Sequence, residues 1–259
     1  LNALSRPATP DHDKTDQTGT TPASPGGQRN SAPTPSPATH ASCSPTRSML
    51  LSGVDTHRNG LGNMDEWTAP NQRGVPGYEG YLNKQVTTLP QLLKDAGYHT
   101  YMVGKWHVTS LNETGPTGPF DGWPLGRGYD RFYGFMDAET DQYAPELVRD
   151  NTPIPTPGSF ESGYHLTADL VDQSIRYLAD HLADQPGRPW HLWLALGACH
   201  APHQAPDALI RQHDAQFGHG WDVERERRLA RQKALGIVPR DTPLPPRNAG
   251  ATPWADHPP

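Results

Sequence analysis

An α/β layered fold is predicted by one unit that occurs twice, a helix pattern running directly into a strand pattern. Residues 88–103 form the first unit and residues 166–196 the second. The strand of the second unit, Trp190–Leu196, is a short apolar run between Pro189 and Gly197, as expected of a strand buried on both faces.

Along the chain, the first 42 residues stand apart. Leu1 and Leu4 are their only large apolar residues, and the rest is Pro, Thr, Ser, Ala, Gly and scattered charge. Such a segment cannot bury enough apolar area to offset its ordering entropy, so residues 1–42 are expected to be disordered. They lack the 7–15-residue apolar stretch of a secretory signal. Residues 43–259 are expected to form one α/β domain.

That domain opens with a helix start at Cys43-Ser-Pro-Thr-Arg-Ser-Met-Leu-Leu-Ser-Gly53. Ser44 can cap, Pro45 suits a first turn and Gly53 can close the helix. Cys43 then sits at the positive end of the helix dipole, where a thiolate or an anionic ligand is stabilised. Arg47 follows one turn later, so its guanidinium could reach an anion held there. A free or buried cysteine before an ordinary helix fits the same spacing.

Thr88–Gly97 reads as a short helix with a Thr cap, an early Pro and a terminal Gly. Tyr98–Val103 favours a strand. Leu166, Leu170, Val171, Ile175, Leu178 and Leu182 recur at helical spacing, which predicts an amphipathic helix over 166–184. A charged helix is expected over 222–235, ending at Gly236. The Gly/Pro-rich connections 112–128 and 150–160 are expected to carry site residues or to move. No internal repeat is visible.

Composition sets outer bounds. The chain has 259 residues, 25 Gly and 29 Pro, with 34% hydrophobic residues and a mean hydropathy of −0.75. That argues against a bundle, a coiled coil and a membrane protein, since no run approaches ~20 apolar residues. A net charge of −6 gives no reason to expect a nucleic-acid partner. Two cysteines do not indicate an oxidising compartment. Pairing Cys43 with Cys199 would consume the residue the first motif needs.

The Cys43 run resembles the sulfatase signature, Cys-x-Pro-Ser/Thr-Arg followed by a short helix and a Ser/Thr-Gly end. Gly97-Tyr-His-Thr-Tyr-Met-Val-Gly-Lys-Trp-His107 is similar to the second sulfatase signature, in the family's order. Ala198-Cys-His-Ala-Pro-His-Gln-Ala-Pro206 resembles the arylsulfatase segment with a second active-site histidine, on which His200 rather than His203 falls. Arg127–Phe135, Glu139–Val148 and Gly220-Trp-Asp222 also look like bacterial arylsulfatase sequence. The resemblance covers about Cys43 to Asp256.

The resemblance implies an alkaline-phosphatase-like layered sandwich around a mixed or parallel sheet, incomplete at both ends. It implies a sulfuric ester hydrolase acting on a small-molecule sulfate ester, with Cys43 oxidised to formylglycine by a formylglycine-generating enzyme. It assigns Cys43, Arg47, Lys105, His107 and His200 to catalysis, Lys105 and His200 also to substrate binding, and Ca2+ as the metal, with Cys43 as formylglycine among its ligands. No membrane or nucleic-acid partner is expected.

The chain departs from that pattern. Asp11 and Asp13 are split by His12 and follow no apolar strand, no late Asp-Asn pair follows a strand, and the tail 239–259 offers no late lysine. Asp150-Asn151 lies in a polar loop and is not assigned. The expectation is a sulfatase fragment whose activity the missing metal carboxylates put in question and whose first 42 residues replace the first strand, with poor solubility or partial folding. The rivals are a formylglycine phosphonate or phosphodiester hydrolase, a non-catalytic remnant, and a zinc module at Cys199, His200 and His203, whose spacing lacks a zinc pairing. Location stays open, cytoplasmic or exported in a full-length parent.

Overall fold

The computed structural model describes residues 2–4 and 40–257. They fall into two compact units, one of residues 40–204 together with strand Asn2–Leu4, the other of residues 205–257. The sequence reading had taken 43–259 as one body and given 1–42 no strand. Apart from Asn2–Leu4 and residues 40–42, that segment lies outside the described residues.

In the larger unit the elements run β1 (Asn2–Leu4), α1 (Cys43–Ser52), α2 (Thr56–Asn59), α3 (Leu89–Asp95), β2 (His99–Lys105), β3 (Arg131–Phe135), β4 (Leu147–Arg149), β5 (Thr152–Ile154), α4 (Leu166–Asp184) and β6 (Trp190–Ala195). The six strands form one mixed sheet in the order β1-β6-β2-β3-β4-β5. β6, β2 and β3 are parallel, with Tyr101 opposite Leu192 on one side and Arg131 on the other. β1, β4 and β5 pair antiparallel to their neighbours. This is the α/β architecture expected from the repeated helix–strand unit.

Alternation along the parallel strands divides the core into two layers. Tyr101, Val103, Tyr133, Phe135 and Leu192 pack with Leu166, Leu170 and Tyr177 of α4. Met102, Phe132 and Trp193 pack on the other face with Leu51 of α1, Trp106, Trp123 and Tyr129. β2 is buried on both faces from Thr100 to Lys105, so its sequence is apolar without polar alternation.

Several local expectations need correction. Helix α1 is preceded by Ser42, whose side chain makes no capping bond, and Ser44 lies buried inside the first turn, its hydroxyl without a partner among the described residues. Thr88 precedes α3 but does not cap it, because its hydroxyl donates to the Arg127 carbonyl at 2.6 Å. Helix α4 has the predicted bounds but a shifted face. It buries Leu166, Leu170, Gln173, Ser174, Tyr177 and His181 and leaves Val171, Ile175 and Leu182 exposed. The tyrosine and histidine win the buried face because each finds a hydrogen-bond partner there, Phe132 O for Tyr177 and Arg188 O for His181.

Residues 150–160 are not a plain connection, since β5 pairs there with β4. The connection 112–128 is anchored by Trp123, wholly buried, whose indole N–H donates to Glu113 O at 2.7 Å. It supplies none of the expected site residues. In the smaller unit, α5 (Asp207–Phe217) precedes α6 (Gly220–Ala234), the charged helix expected at 222–235. The Trp221 and Trp254 rings meet edge to face there at 4.8 Å. No helix among the described residues is long and apolar enough to cross a membrane.

Candidate active site

The carboxyl ends of parallel strands are where an open α/β sheet gathers ligand contacts. β2 ends at Lys105, and the chain continues through Trp106 to His107. Trp106 N and His107 N donate to Phe135 O and Met136 O, each at 2.9 Å, so the pairing with β3 persists past the strand end. His107 adopts a left-handed backbone conformation, φ 55°, a strained state for a non-glycine residue that held surroundings must sustain.

Cys43 is the first residue of α1, half-buried and with a free thiol. The Lys105 ammonium donates to Ala138 O at 2.5 Å. Burial lowers the Lys105 pKa, while the charge of Cys43 pulls it back up.

Arg47 holds the strand end rather than pointing freely at an anion. Its Nε donates to Trp106 O at 2.9 Å, its second terminal nitrogen donates to Lys105 O, and its guanidinium stacks over Trp193 at 4.6 Å from the ring centre. Burial lowers its pKa to about 10, with Tyr129 and Cys43 opposing. It therefore stays cationic at neutral pH and acts on Cys43 through charge.

His107 is buried and its Nε2 lies 3.2 Å from Glu66 Oε1. Its Nδ1 is buried and without a partner among the described residues. Burial, then the charges of Lys105, Arg47 and His200, lower its pKa to about 3. His200 follows β6, half-exposed, with Nδ1 3.1 Å from Glu139 Oε2. The loop bearing it is tied to the loop after β3, since Gln204 Oε1 accepts from Gln142 N and Gln204 Nε2 donates to Asp141 Oδ2, each at 2.7 Å.

The structure thus ties the helix that bears Cys43 and Arg47 to the strand end that bears Lys105 and His107, and the charges of Lys105, Arg47 and His200 are felt at His107. Sequence reasoning missed Glu66, Glu139 and Trp193, each distant in the chain from the residue it holds. A cavity of about 510 Å³ adjoins the site, lined by Asp137, Glu139, Asp141 and Glu146 among apolar side chains.

The donor set does not fit calcium. That ion takes 6–8 oxygen ligands, yet among the described residues no three His, Cys, Asp or Glu side chains gather as metal ligands. The groups beside Cys43 are cations, and Asp11 and Asp13 lie outside the described residues. The zinc alternative at Cys199, His200 and His203 finds no support for the same reason. Cys43 and Cys199 are both free.

Comparison with known proteins identifies the family. The family model described as Sulfatase matches residues 16–241. An uncharacterized sulfatase of Schizosaccharomyces pombe is 36% identical over 83% of this chain and 40% of its own length. An arylsulfatase of Klebsiella aerogenes is 34% identical over 78% of this chain and 42% of its own. The chain therefore spans about two fifths of the length of these curated relatives. The crystal structure of Ps i-CgsB in complex with k-i-k-neocarrahexaose superposes with a TM-score of 0.50 at 19% identity, over 66% of this chain and 37% of that one. At that identity the likeness bears on fold alone, which is of the alkaline-phosphatase-like α/β class.

Proposed function

The chain belongs to the sulfatase family, and from that premise we propose that its site hydrolyses small-molecule sulfate esters through a formylglycine made from Cys43. The observation that carries this reading is Cys43 at the amino end of α1, a helix that Arg47 ties to the end of β2 beside the Lys105 ammonium. An anionic sulfate needs a cation at its oxygens, a part that falls to Lys105 at the end of β2, with the buried charge of Arg47 behind it.

The residues of this chain divide the work. Once a formylglycine-generating enzyme has oxidised Cys43, the aldehyde hydrate carries two hydroxyls. One attacks sulfur, its proton passing to solvent, and the S–O bond to the alcohol breaks. His200 gives a proton to the departing oxygen, a role suited to a half-exposed imidazole beside Glu139. His107, held neutral, takes the proton of the second hydroxyl, so that sulfate leaves as the aldehyde reforms. An unmodified thiol could not complete that step, because it has only one heteroatom. Lys105 holds the anion, and Arg47 fixes the end of β2 beneath it. No step is routed through calcium, for which the described residues supply no cage.

The test is turnover of an aryl sulfate by the chain co-expressed with the maturation enzyme, with a Cys43→Ala variant as background. We expect hydrolysis above that background. Equal rates would refute the reading. Faster turnover of a phosphonate or phosphodiester in the same assay would move the assignment to the phosphorus esters.

A further inference from the structure

We propose that Glu66 is a positioning residue that fixes His107 as its Nε2–H tautomer and thereby presents the Nδ1 lone pair as the proton acceptor of the site. The proposal deepens the sulfatase reading and rests on it only for which proton is taken. The tautomer itself follows from geometry.

A carboxylate accepts hydrogen bonds and has nothing to donate. Glu66 Oε1 lies 3.2 Å from His107 Nε2, so the hydrogen must sit on Nε2. A neutral imidazole carries one N–H, which leaves Nδ1 bare. That nitrogen is buried and unpartnered among the described residues, an arrangement that costs stability in a purely structural histidine. The Glu66 carboxylate favours a second proton on the ring, while burial and the charges of Lys105, Arg47 and His200 oppose it and Nδ1 has no acceptor among the described residues to receive that proton.

Glu66 can impose this because its own backbone is pinned. It occupies a single helical turn, Asp65–Trp67. Asp65 Oδ2 accepts from Leu111 N at 3.0 Å, and Trp67 O accepts from the Asn63 side chain at 2.8 Å. The neighbouring Thr68 hydroxyl donates back to Met64 O at 3.1 Å. The carboxylate thus arrives at His107 from a fixed turn some 40 residues earlier in sequence, which is the pattern by which partner groups orient imidazoles elsewhere.

The experiment is nitrogen-15 NMR of the histidine side chains in the full chain at neutral pH, with the His107 signals identified by their loss in His107→Gln. We expect the parent to show a protonated Nε2 with a slowly exchanging hydrogen and an unprotonated Nδ1. Glu66→Gln keeps an acceptor oxygen and should keep that pattern. Glu66→Ala should lose the slowly exchanging hydrogen. A parent with the Nδ1–H tautomer or a doubly protonated ring overturns the proposal, as does a Glu66→Ala spectrum unchanged from the parent. Should Glu66→Ala fail to fold, the parent and Glu66→Gln spectra still decide the matter. The tautomer is read without turnover, so an inactive chain with the expected tautomer would count against the sulfatase activity and leave this assignment standing.

Discussion

The guanidinium of Arg47 lies 4.6 Å from the ring centre of Trp193 while donating to the carbonyls of Lys105 and Trp106. One side chain thus joins the helix that bears Cys43 to β6 and to the end of β2. Arg47→Ala leaves two carbonyls unpaired and removes the stacked cation, so we expect a stability loss of roughly 2–3 kcal/mol. Urea unfolding followed by tryptophan fluorescence measures it. Arg47→Lys should recover little, because an ammonium cannot reproduce the planar fork.

The close approach of three parallel strands depends on Gly104. It has φ 110°, and an added Cβ would run into the Ala195 carbonyl of β6, while its partner Gly134 would likewise collide with Gly104. Gly104→Ala is expected to cost roughly 2–4 kcal/mol. Gly53→Ala is the control. Gly53 also has a positive φ, 68°, but opens on free space, so it should cost only about 1 kcal/mol. Equal thermal shifts for the two variants would contradict the packing argument.

His107 makes stability depend on pH. Its folded pKa, about 3, lies below the ordinary 6.5 because burial and neighbouring cations disfavour the charged ring. Between those values the unfolded chain binds the extra proton, so stability falls as pH drops from about 6.5 towards 3 and is full above. His107→Gln should flatten that decline by up to about 1.4 kcal/mol per pH unit. Denaturant titrations of both proteins at pH 7, 6 and 5 check this, and parallel curves would contradict it.

Lys105 is expected to hold the anion. Inorganic sulfate should raise the Tm of the parent, reaching about 2.7 kcal/mol of added stability at 100 times its Kd. Lys105→Met should abolish that shift. The same sulfate-dependent shift in both proteins would remove Lys105 from the anion site.

The site was legible where chemistry and local structure share a short run. Cys43 and Arg47 lie on one helix turn, and Lys105 and His107 end one strand, so contiguous residues announce them. The residues that hold them are not contiguous. Glu66 reaches His107 from a separate turn, Glu139 reaches His200 from the loop after β3, and Trp193 meets Arg47 across the sheet. In the fold, end signals marked α3, helical spacing marked α4, β-favouring residues marked β2, and a short apolar run marked β6. The hairpin β4–β5 did not, since each strand is three residues long and Pro153 stands in the second. The α4 face was misread because apolar spacing outweighed the hydrogen-bonding reach of Tyr177 and His181.

Mass spectrometry of the Cys43 peptide, after co-expression with a formylglycine-generating enzyme, tests the central claim most directly. We expect the thiol at Cys43 to be replaced by an aldehyde or its hydrate, in a chain that then turns over an aryl sulfate. An intact thiol in the folded chain would contradict the account.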